Sequence, residues 1–244
     1  MILLVDAGNT RIKWGVRQAG AWLVRGVCPT REVASLEEAW AGFALSRALL
    51  CCVADVPTRT TLAGVLPAGV ASPLWVAAVA EAHGVVSRYQ PPQSLGADRF
   101  VALVAARRLF SGPCLVVSVG TALTVDALTA EGVFLGGCIA PGPDLMTAAL
   151  HSGTAGVRES TAVATEFPES TGAAVATGVA LAQAGVVDGM RSRLQRQCDS
   201  PVTVLLTGGA RGGLRDLLAA PLRELDDLVL EGLVWIAKDR QWEN

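Results

Sequence analysis

An apolar run at the start of the chain ends at one carboxylate and a tight turn. Residues 2–5 are Ile-Leu-Leu-Val, Asp6 follows them, and Ala7-Gly8-Asn9-Thr10 comes next. Residues 11–16 then alternate in polarity, as the second strand of a hairpin does. Backbone N–H groups in such a turn form an anion-binding nest, and a glycine lets them approach closely. The same residues also fit a buried strand that ends in an ordinary Asx-type turn.

A similar element recurs about one domain length further along the chain. Residues 115–119 are apolar apart from Ser118 and lead into Gly120-Thr121, and a second apolar run continues to Asp126. A third glycine turn, at residues 207–210, follows the apolar run 202–206. Two phosphate-type hairpins at this separation are what a duplicated fold with a nucleotide in a central cleft needs. The third turn is placed to lie beside adenosine or phosphate.

The composition excludes several classes of protein. Of the 244 residues, 51% are hydrophobic and only 17% are charged, which excludes disorder and fits an α/β protein with buried parallel strands. The net charge is −2 and the Lys and Arg residues are scattered, so nothing points to nucleic acid. We therefore expect a small-molecule ligand.

Cysteine and histidine usage points to the cytoplasm and away from zinc or triad chemistry. The six cysteines form no Cys-x-x-Cys pair, and most lie in apolar runs, which favours reduced thiols. His83 and His151 are widely separated, so neither a zinc site nor a Ser-His-Asp triad is supported. The apolar start contains Asp6 and lacks a basic region, and prolines break the uncharged stretch 60–80, so we expect neither a signal peptide nor a membrane span.

The pattern along the chain predicts an α/β lobe over 1–112 and a second over 113–244. Each opens with strand, hairpin and strand. Ser35-x-x-Glu38 predicts a capping box that begins a helix, and residues 75–83 fit either a helix or a strand-helix unit. We expect the remaining elements as follows: a strand at 48–54, a helix or a strand-helix unit at 57–66, a helix at 96–110, strands at 114–119, 122–128 and 133–139, and helices from 143, over 171–195 and over 228–239.

Five motifs, in order and at matching spacing over nearly the whole chain, resemble the type III pantothenate kinase family. That family has the duplicated actin/hexokinase/Hsp70 fold, two lobes around a nucleotide cleft, and makes 4′-phosphopantothenate from pantothenate and ATP at the start of coenzyme A synthesis. Each motif alone is weak, but the ordered set is specific. The motifs are Asp6-Ala-Gly-Asn-Thr10, Gly96-Ala-Asp-Arg99, Gly120-Thr-Ala-x-Thr124 with Asp126, Gly136-Gly-Cys-Ile-Ala-Pro-Gly142 and Thr207-Gly-Gly209.

The resemblance implies a role for each matching residue. Asp98 would be the general base for the pantothenate hydroxyl and Asp6 would orient Mg²⁺. The rest of pantothenate would contact Arg99 and Tyr89 near Gly96, and Thr171 would be donated across a homodimer interface. The residues implied for ATP are Gly8, Asn9, Thr10, Lys13, Gly120, Thr121 and Thr124 for the phosphates and Gly208 and Gly209 for adenosine.

One position departs from the family pattern. The family has Asp two residues before the second Gly-Thr, near its activating monovalent cation, K⁺ or NH₄⁺, whereas this chain has Ser118. Either the dependence on that cation is weakened or a nearby carboxylate such as Asp126 compensates.

Other interpretations of these residues stay open. Asp98-Arg99 also fits a plain acid and base in the first turn of a helix, Tyr89 fits a packing residue, and Thr171 fits a simple helix start. At the level of the whole chain, the alternatives are a nucleotide-binding regulatory protein that has lost catalysis and a sugar or acetate kinase of the same superfamily. The pairing of Asp6 and Asp98 with two phosphate-type turns argues against the first, and the short chain argues against the second.

Overall fold

The structure is a computed structural model that describes residues 1–157 and 161–242. The chain forms two compact units. Unit 1 contains Met1–Phe110 together with the chain from Asp227 onward, and unit 2 contains Ser111–Asp226. The first boundary lies close to the one predicted from sequence. The last helix lies in unit 1, whereas the sequence placed it with the C-terminal half.

Unit 1 is built on a five-stranded sheet in the order β3-β2-β1-β4-β5. The central strand β1 pairs antiparallel with β2 and parallel with β4, and β2 continues antiparallel into β3. A small hairpin, β6 with β7, follows the sheet. The strands are β1 Ile2–Ala7, β2 Arg11–Gln18, β3 Ala21–Pro29, β4 Arg47–Cys52, β5 Leu74–Trp75, β6 Glu81–Ala82 and β7 Val85–Ser87.

Two helices of unit 1 pack against each other at close range. They are α3, Ala97–Leu109, and α7, Leu228–Asp239. A Cβ at Gly232 of α7 would collide with the backbone of Val101 in α3, so this contact requires glycine. The packing explains why the end of the chain belongs to unit 1. The shorter helices are α1 Leu36–Trp40 and α2 Val56–Gly64, with 3-10 turns at Thr30–Ser35 and Pro92–Ser94.

Unit 2 repeats the topology of the unit 1 sheet. Its strands lie in the order β12-β11-β8-β9-β10, with β8 antiparallel to β9 and parallel to β11. The elements are β8 Cys114–Val119, β9 Ala122–Leu128, β10 Val133–Pro141, α4 Pro143–Gly153, α5 Thr171–Gln195, β11 Thr203–Thr207, α6 Gly212–Arg215 and β12 Leu222–Glu224. Strands β8, β9 and β10 therefore correspond to β1, β2 and β3, which is the internal duplication that the sequence predicted.

Each unit has its own apolar core. In unit 1, Leu3 and Val5 of β1 pack with Ile12 of β2 and the fully buried Trp40 of α1. In unit 2, alternate residues of β8 and β11 pack with Val187 and other residues of α5. Burying alternate strand residues in this way fixes the register of the hairpins that follow β1 and β8.

Two local predictions are wrong. Ser35 caps no helix, because its hydroxyl donates to the carbonyl of Glu32 within a 3-10 turn and α1 ends after five residues. Residues 75–83 contain no helix but only the ends of short strands. Alanine and valine fit either state in that stretch, so periodicity did not decide it.

One helix in the described part of the chain, α5, is long and apolar enough to cross a membrane by length and composition alone. It contacts α4 and strands β8 and β9 of unit 2. A helix that packs on its own sheet passes the same test, so the length and composition of α5 do not assign it to a membrane.

Candidate active site

The tip of the first hairpin is held by hydrogen bonds that leave its polar residues exposed. The N–H of Gly8 donates to the carbonyl of Arg11 at 3.0 Å and closes the turn. Thr30 holds the tip by two hydrogen bonds. Its hydroxyl donates to the carbonyl of Gly8 at 2.8 Å, and its N–H donates to the carbonyl of Thr10 at 3.0 Å. Asn9 and Thr10 remain exposed. The turn therefore presents its outer face to solvent, as a phosphate-binding turn must.

Asp6, the last polar residue of β1, is a carboxylate in an unfavourable environment. It is half-buried, and burial and the negative charge of Asp98 raise its pKa to about 7, against the lowering effect of Lys13. Asp227 adds a smaller raising effect. Both Asp98 and Asp227 thus disfavour the ionised form of Asp6, and a cation bound at Asp6 would favour it.

Lys13 lies directly opposite Asp6 in the pairing of β1 with β2. Directly opposite residues of an antiparallel pair project from the same face of the sheet. The ammonium group of Lys13 is 2.9 Å from one carboxylate oxygen of Asp227, and the guanidinium group of Arg25 lies 3.6 Å from the other. Asp227 precedes α7 with a left-handed backbone, φ 47°, and its side chain makes no capping hydrogen bond. Its carboxylate instead holds Lys13 beside the first hairpin.

Asp98 lies in the first turn of α3, where Gly96 makes room for it. A Cβ at position 96 would approach the Asp98 Oδ1 to 2.6 Å, which is closer than real contacts allow. The same oxygen accepts a hydrogen bond from the N–H of Arg99 at 2.8 Å. Burial raises the pKa of Asp98, against the lowering effects of that hydrogen bond and of the Arg99 charge. A carboxylate with a raised pKa is a stronger base when ionised.

Arg99 and Tyr89 contact each other beside Asp98. Both terminal nitrogens of the guanidinium lie 3.3 Å from the tyrosine hydroxyl, and the guanidinium carbon is 5.6 Å from the ring centre. Arg99 is 7% exposed, which is low for an arginine. Of the residues predicted for unit 1, the structure links Asp6 electrostatically to Asp98 and Lys13, joins Arg99 to Tyr89 and sets Gly96 against Asp98. Gly8, Asn9 and Thr10 form the tip of the first hairpin.

In unit 2, a hydrogen bond from a glycine N–H also closes the second hairpin, whose turn is one residue shorter than that of the first. The N–H of Gly120 donates to the carbonyl of Ala122 at 3.0 Å. Gly142, just before α4, donates to the carbonyl of Thr121 at 2.9 Å, and a side chain at 142 would collide with the carbonyls of Gly120 and Thr121. Gly120 and Thr121 are exposed. The Pro-Gly turn of the fourth motif therefore shapes this hairpin.

The third glycine turn also lies against the end of β8. Gly208 has φ +97°, and a side chain there would collide with the backbone of Val119, the residue before Gly120. The N–H of Ala210 donates to the carbonyl of Val119 at 3.1 Å. Gly120, Thr121, Gly208 and the exposed Gly209 are thus neighbours, and the helical stretch after the turn is only the four-residue α6.

Ser118 pairs with Thr124 across β8 and β9. Asp126 is two residues further along β9, so it projects from the same face of the sheet as Thr124. Asp126 is buried, with 1% exposure. The carboxylate named above as a compensating ligand therefore lies on the same sheet face as Ser118.

Thr171 lies apart from both glycine turns in sequence, at the first position of α5. It is exposed, and its neighbour Ser170 caps the helix by accepting a hydrogen bond from the N–H of Ala173 at 3.2 Å. Among the residues of unit 2 that the structure describes, no hydrogen bond joins Thr171 to the second hairpin.

Three residues that position the site were missed by the sequence analysis. Thr30 gave no signal, because a threonine after a strand is unremarkable. Asp227 resembled an ordinary acid before a helix, and only its left-handed backbone and ion pairs reveal its role. Arg211, which follows the third glycine turn, belongs to none of the five motifs, and only its hydrogen bond to the Gly208 carbonyl reveals its role.

The fold of this chain is similar to the folds of known proteins. The fold resembles a protein described as a Baf family transcriptional activator from Campylobacter jejuni, with TM-score 0.64, 18% identity and 98% of each chain covered. It also resembles a protein described as a 2-dehydro-3-deoxygalactonokinase from Sinorhizobium meliloti, with TM-score 0.62, 14% identity, and 98% and 99% of the two chains covered. The fold is thus that of the actin/hexokinase/Hsp70 group of kinases and ATPases.

Sequence comparison narrows this class to one family. The family model of type III pantothenate kinase matches residues 2–193. A type III pantothenate kinase from Azoarcus sp. (strain BH72) is 45% identical over 240 residues, which cover 97% of this chain and 90% of that protein. The chain belongs to the type III pantothenate kinase family, whose members phosphorylate pantothenate in coenzyme A biosynthesis, and it is a phosphotransferase.

Proposed function

We propose that this chain transfers the γ-phosphoryl group of ATP to the 4′-hydroxyl of pantothenate with Asp98 as the general base. The observation that carries the assignment is the electrostatic coupling of Asp98 to Asp6, which brings a candidate base and a candidate metal ligand together in unit 1. Asp98 lies in the first turn of α3, with its pKa raised by burial.

The reaction needs few covalent contributions from the protein. The pantothenate oxygen forms a bond to the γ-phosphorus, the bond from that phosphorus to the bridging oxygen breaks, and ADP leaves. The hydroxyl proton goes to the Asp98 carboxylate, an effect typically of about 10²- to 10⁴-fold. The remaining acceleration comes from holding the reactants in line.

Asp6 fits a role as the protein ligand of Mg²⁺ or of its water. The described residues contain no group of three or more His, Cys, Asp or Glu side chains placed to hold a metal, so an all-protein cage is not formed there. Mg²⁺ is commonly held by one or two carboxylates together with substrate phosphates and water. The pKa of Asp6 is raised first by burial and then by the negative charge of Asp98, and a bound cation would stabilise the ionised carboxylate. Bound there, Mg²⁺ would neutralise charge on the transferring phosphates.

Arg99 and Tyr89 are the proposed contacts for the rest of pantothenate. The guanidinium group is suited to a carboxylate because its fork binds both oxygens. The tyrosine hydroxyl, 3.3 Å from both terminal nitrogens, fixes the orientation of that fork. Gly96 contributes space rather than a contact.

For ATP, we assign the phosphates to the two glycine hairpins and adenosine to the third turn. The exposed residues at both hairpin tips support this assignment, as does the Lys13 ammonium group, which is held 2.9 Å from Asp227. The residues are Gly8, Asn9, Thr10, Lys13, Gly120, Thr121 and Thr124 for phosphates and Gly208 and Gly209 for adenosine.

We further propose a homodimer that shares its active sites through Thr171. Unit 2 supports it with apolar side chains that remain exposed around α4, α5 and β10, where a partner would bury them. No residue of α4 is buried. The exposed apolar residues are Ile139, Leu145, Leu150, Val163, Phe167 and Leu181.

The remaining assignments are a cytoplasmic location and no nucleic-acid or membrane partner. Six free cysteines and the near-neutral charge support them. For the monovalent cation, K⁺ or NH₄⁺, the buried Asp126 is the proposed substitute for the acid replaced by Ser118.

The deciding experiment measures ADP formation by the purified protein with Mg²⁺ and ATP, with and without pantothenate, in matched K⁺ and Na⁺. We expect ADP only when pantothenate is present. Faster turnover in K⁺ would support the role of Asp126, and equal rates would mean that Ser118 has removed the cation dependence. Absence of pantothenate-dependent ADP from folded protein that binds ATP would overturn the proposed function.

A further inference from the structure

The turn at Gly208 is anchored on one side by the backbone of β8. Its left-handed φ of +97° and the lack of space for a side chain fix its path against Val119. The hydrogen bond from the N–H of Ala210 to the carbonyl of Val119 adds a second restraint. These contacts restrain the turn where it meets β8, and its outer edge needs a separate support.

Arg211 supplies that support. One terminal nitrogen, Nη1, donates to the carbonyl of Gly208 at 2.9 Å. The other two donor positions are occupied by carboxylates, with Nε donating to Glu224 at 3.0 Å and Nη2 to Asp226 at 2.5 Å. Three acceptors around one planar group fix its orientation, which a flexible point charge such as lysine could not match.

Arg215 provides an internal comparison because it ends the short helix α6, which Arg211 immediately precedes. It also pairs with Glu224, and its other partner is Asp216 at 2.9 Å. Its side chain is 55% exposed, against 26% for Arg211. The two arginines therefore share charge and one partner at opposite ends of α6, but Arg211 is the one bonded to the glycine turn.

We propose that Arg211 is a positioning residue for the nucleotide, which acts by holding the Gly208 carbonyl so that the Gly208–Gly209 edge is preformed for adenosine. This inference rests on the proposed function, which assigns that turn to adenosine. The inference goes beyond the proposed function because Arg211 lies outside the family motifs and sets the affinity for ATP but not for pantothenate.

The test compares Arg211→Gln with Arg215→Gln, which removes the same charge at the other end of α6. We expect Arg211→Gln to raise the KM for Mg²⁺-ATP about five- to tenfold, the size of effect that the loss of one hydrogen bond gives. The KM for pantothenate and kcat at saturating ATP should stay within about twofold. Arg215→Gln should leave all three within about twofold. Equal effects of the two variants, or a parallel rise in both KM values, would overturn the proposal.

A binding measurement keeps the inference separate from catalysis. At one fixed concentration of Mg²⁺-ATP, the rise in Tm should be the same for wild type and Arg215→Gln and clearly smaller for Arg211→Gln. Should wild type lack pantothenate-dependent activity, the proposed function fails while this comparison still decides the role of Arg211. Should Arg211→Gln not fold, Arg211→Lys takes its place, and a full ATP-induced rise in Tm for that variant would overturn the proposal.

Discussion

The hydroxyl of Tyr89 lies 3.3 Å from both terminal nitrogens of Arg99, ten residues further along the chain. Tyr89 comes from the loop after β7 and Arg99 from the first turn of α3. The N–H of Tyr89 donates to the hydroxyl of Ser87 at 3.2 Å, which fixes the backbone of the tyrosine. Loop and helix are therefore joined at the place where we assign pantothenate.

Tyr89→Phe tests this contact with a minimal change. The variant keeps the ring beside the guanidinium but removes the hydroxyl that orients it, so we expect the KM for pantothenate to rise about fivefold. The KM for ATP should not change. Steady-state kinetics with each substrate varied in turn will show this, and an unchanged KM for pantothenate would remove Tyr89 from the substrate site.

Asp98→Asn tests the general base. The amide keeps the size of the side chain but accepts no proton, so kcat should fall about 10²- to 10⁴-fold. ATP binding should persist, and isothermal titration with Mg²⁺-ATP measures it. Turnover equal to that of wild type would eliminate Asp98 as the base.

Gly96→Ala tests whether the base depends on space left by a glycine. The added Cβ would approach the Asp98 Oδ1 to 2.6 Å, so the carboxylate must move. We expect kcat to fall at least about tenfold, because small misplacements of a catalytic group are costly. Gly64→Ala is the matched control, since a Cβ there meets nothing within 4 Å and kcat should not change. Equal kcat for both variants would refute the steric argument.

Asp6→Asn should change the pH dependence of stability in the metal-free protein. Burial and the charge of Asp98 raise the pKa of Asp6 from 3.8 to about 7, so between these values the folded state holds a proton that the unfolded state has released. The contribution of Asp6 to folding stability is therefore fully present below pH 4 and is lost as the pH rises to 7. The variant carries no such loss.

Urea unfolding of both proteins at a series of pH values measures this difference. We expect similar stability near pH 4 and an advantage of the variant on the order of 4 kcal/mol above pH 7. Activity should be lost in the variant, because a neutral amide is a poor partner for Mg²⁺. A stability difference that does not depend on pH would contradict the assigned pKa.

Thr171→Ala tests the shared active site. Because Thr171 is exposed at the first turn of α5 and Ser170 provides the cap, the substitution should leave Tm unchanged. The KM for pantothenate should rise several-fold. Analytical ultracentrifugation of wild type should show a dimer, and a fully active monomer would contradict the shared site.

Much of the fold was predictable because strand and helix patterns here are strongly periodic. The helices predicted over 171–195 and 228–239 match α5 and α7, and the strands of both hairpins were placed within one or two residues. The predictions failed at Ser35 and over 75–83, where polar residues prefer local backbone bonds or where alanine and valine fit either state.

Local order and spacing were enough to predict the family, the glycine turns and the acids at their strand ends. The surroundings of those acids depend on the folded chain. It brings Asp227 from beyond residue 200 to Lys13, places Gly96 against Asp98, and joins Arg211 to Gly208. Such relationships follow from packing between distant segments, which no local pattern encodes, and they set the charge, space and orientation on which the chemistry depends.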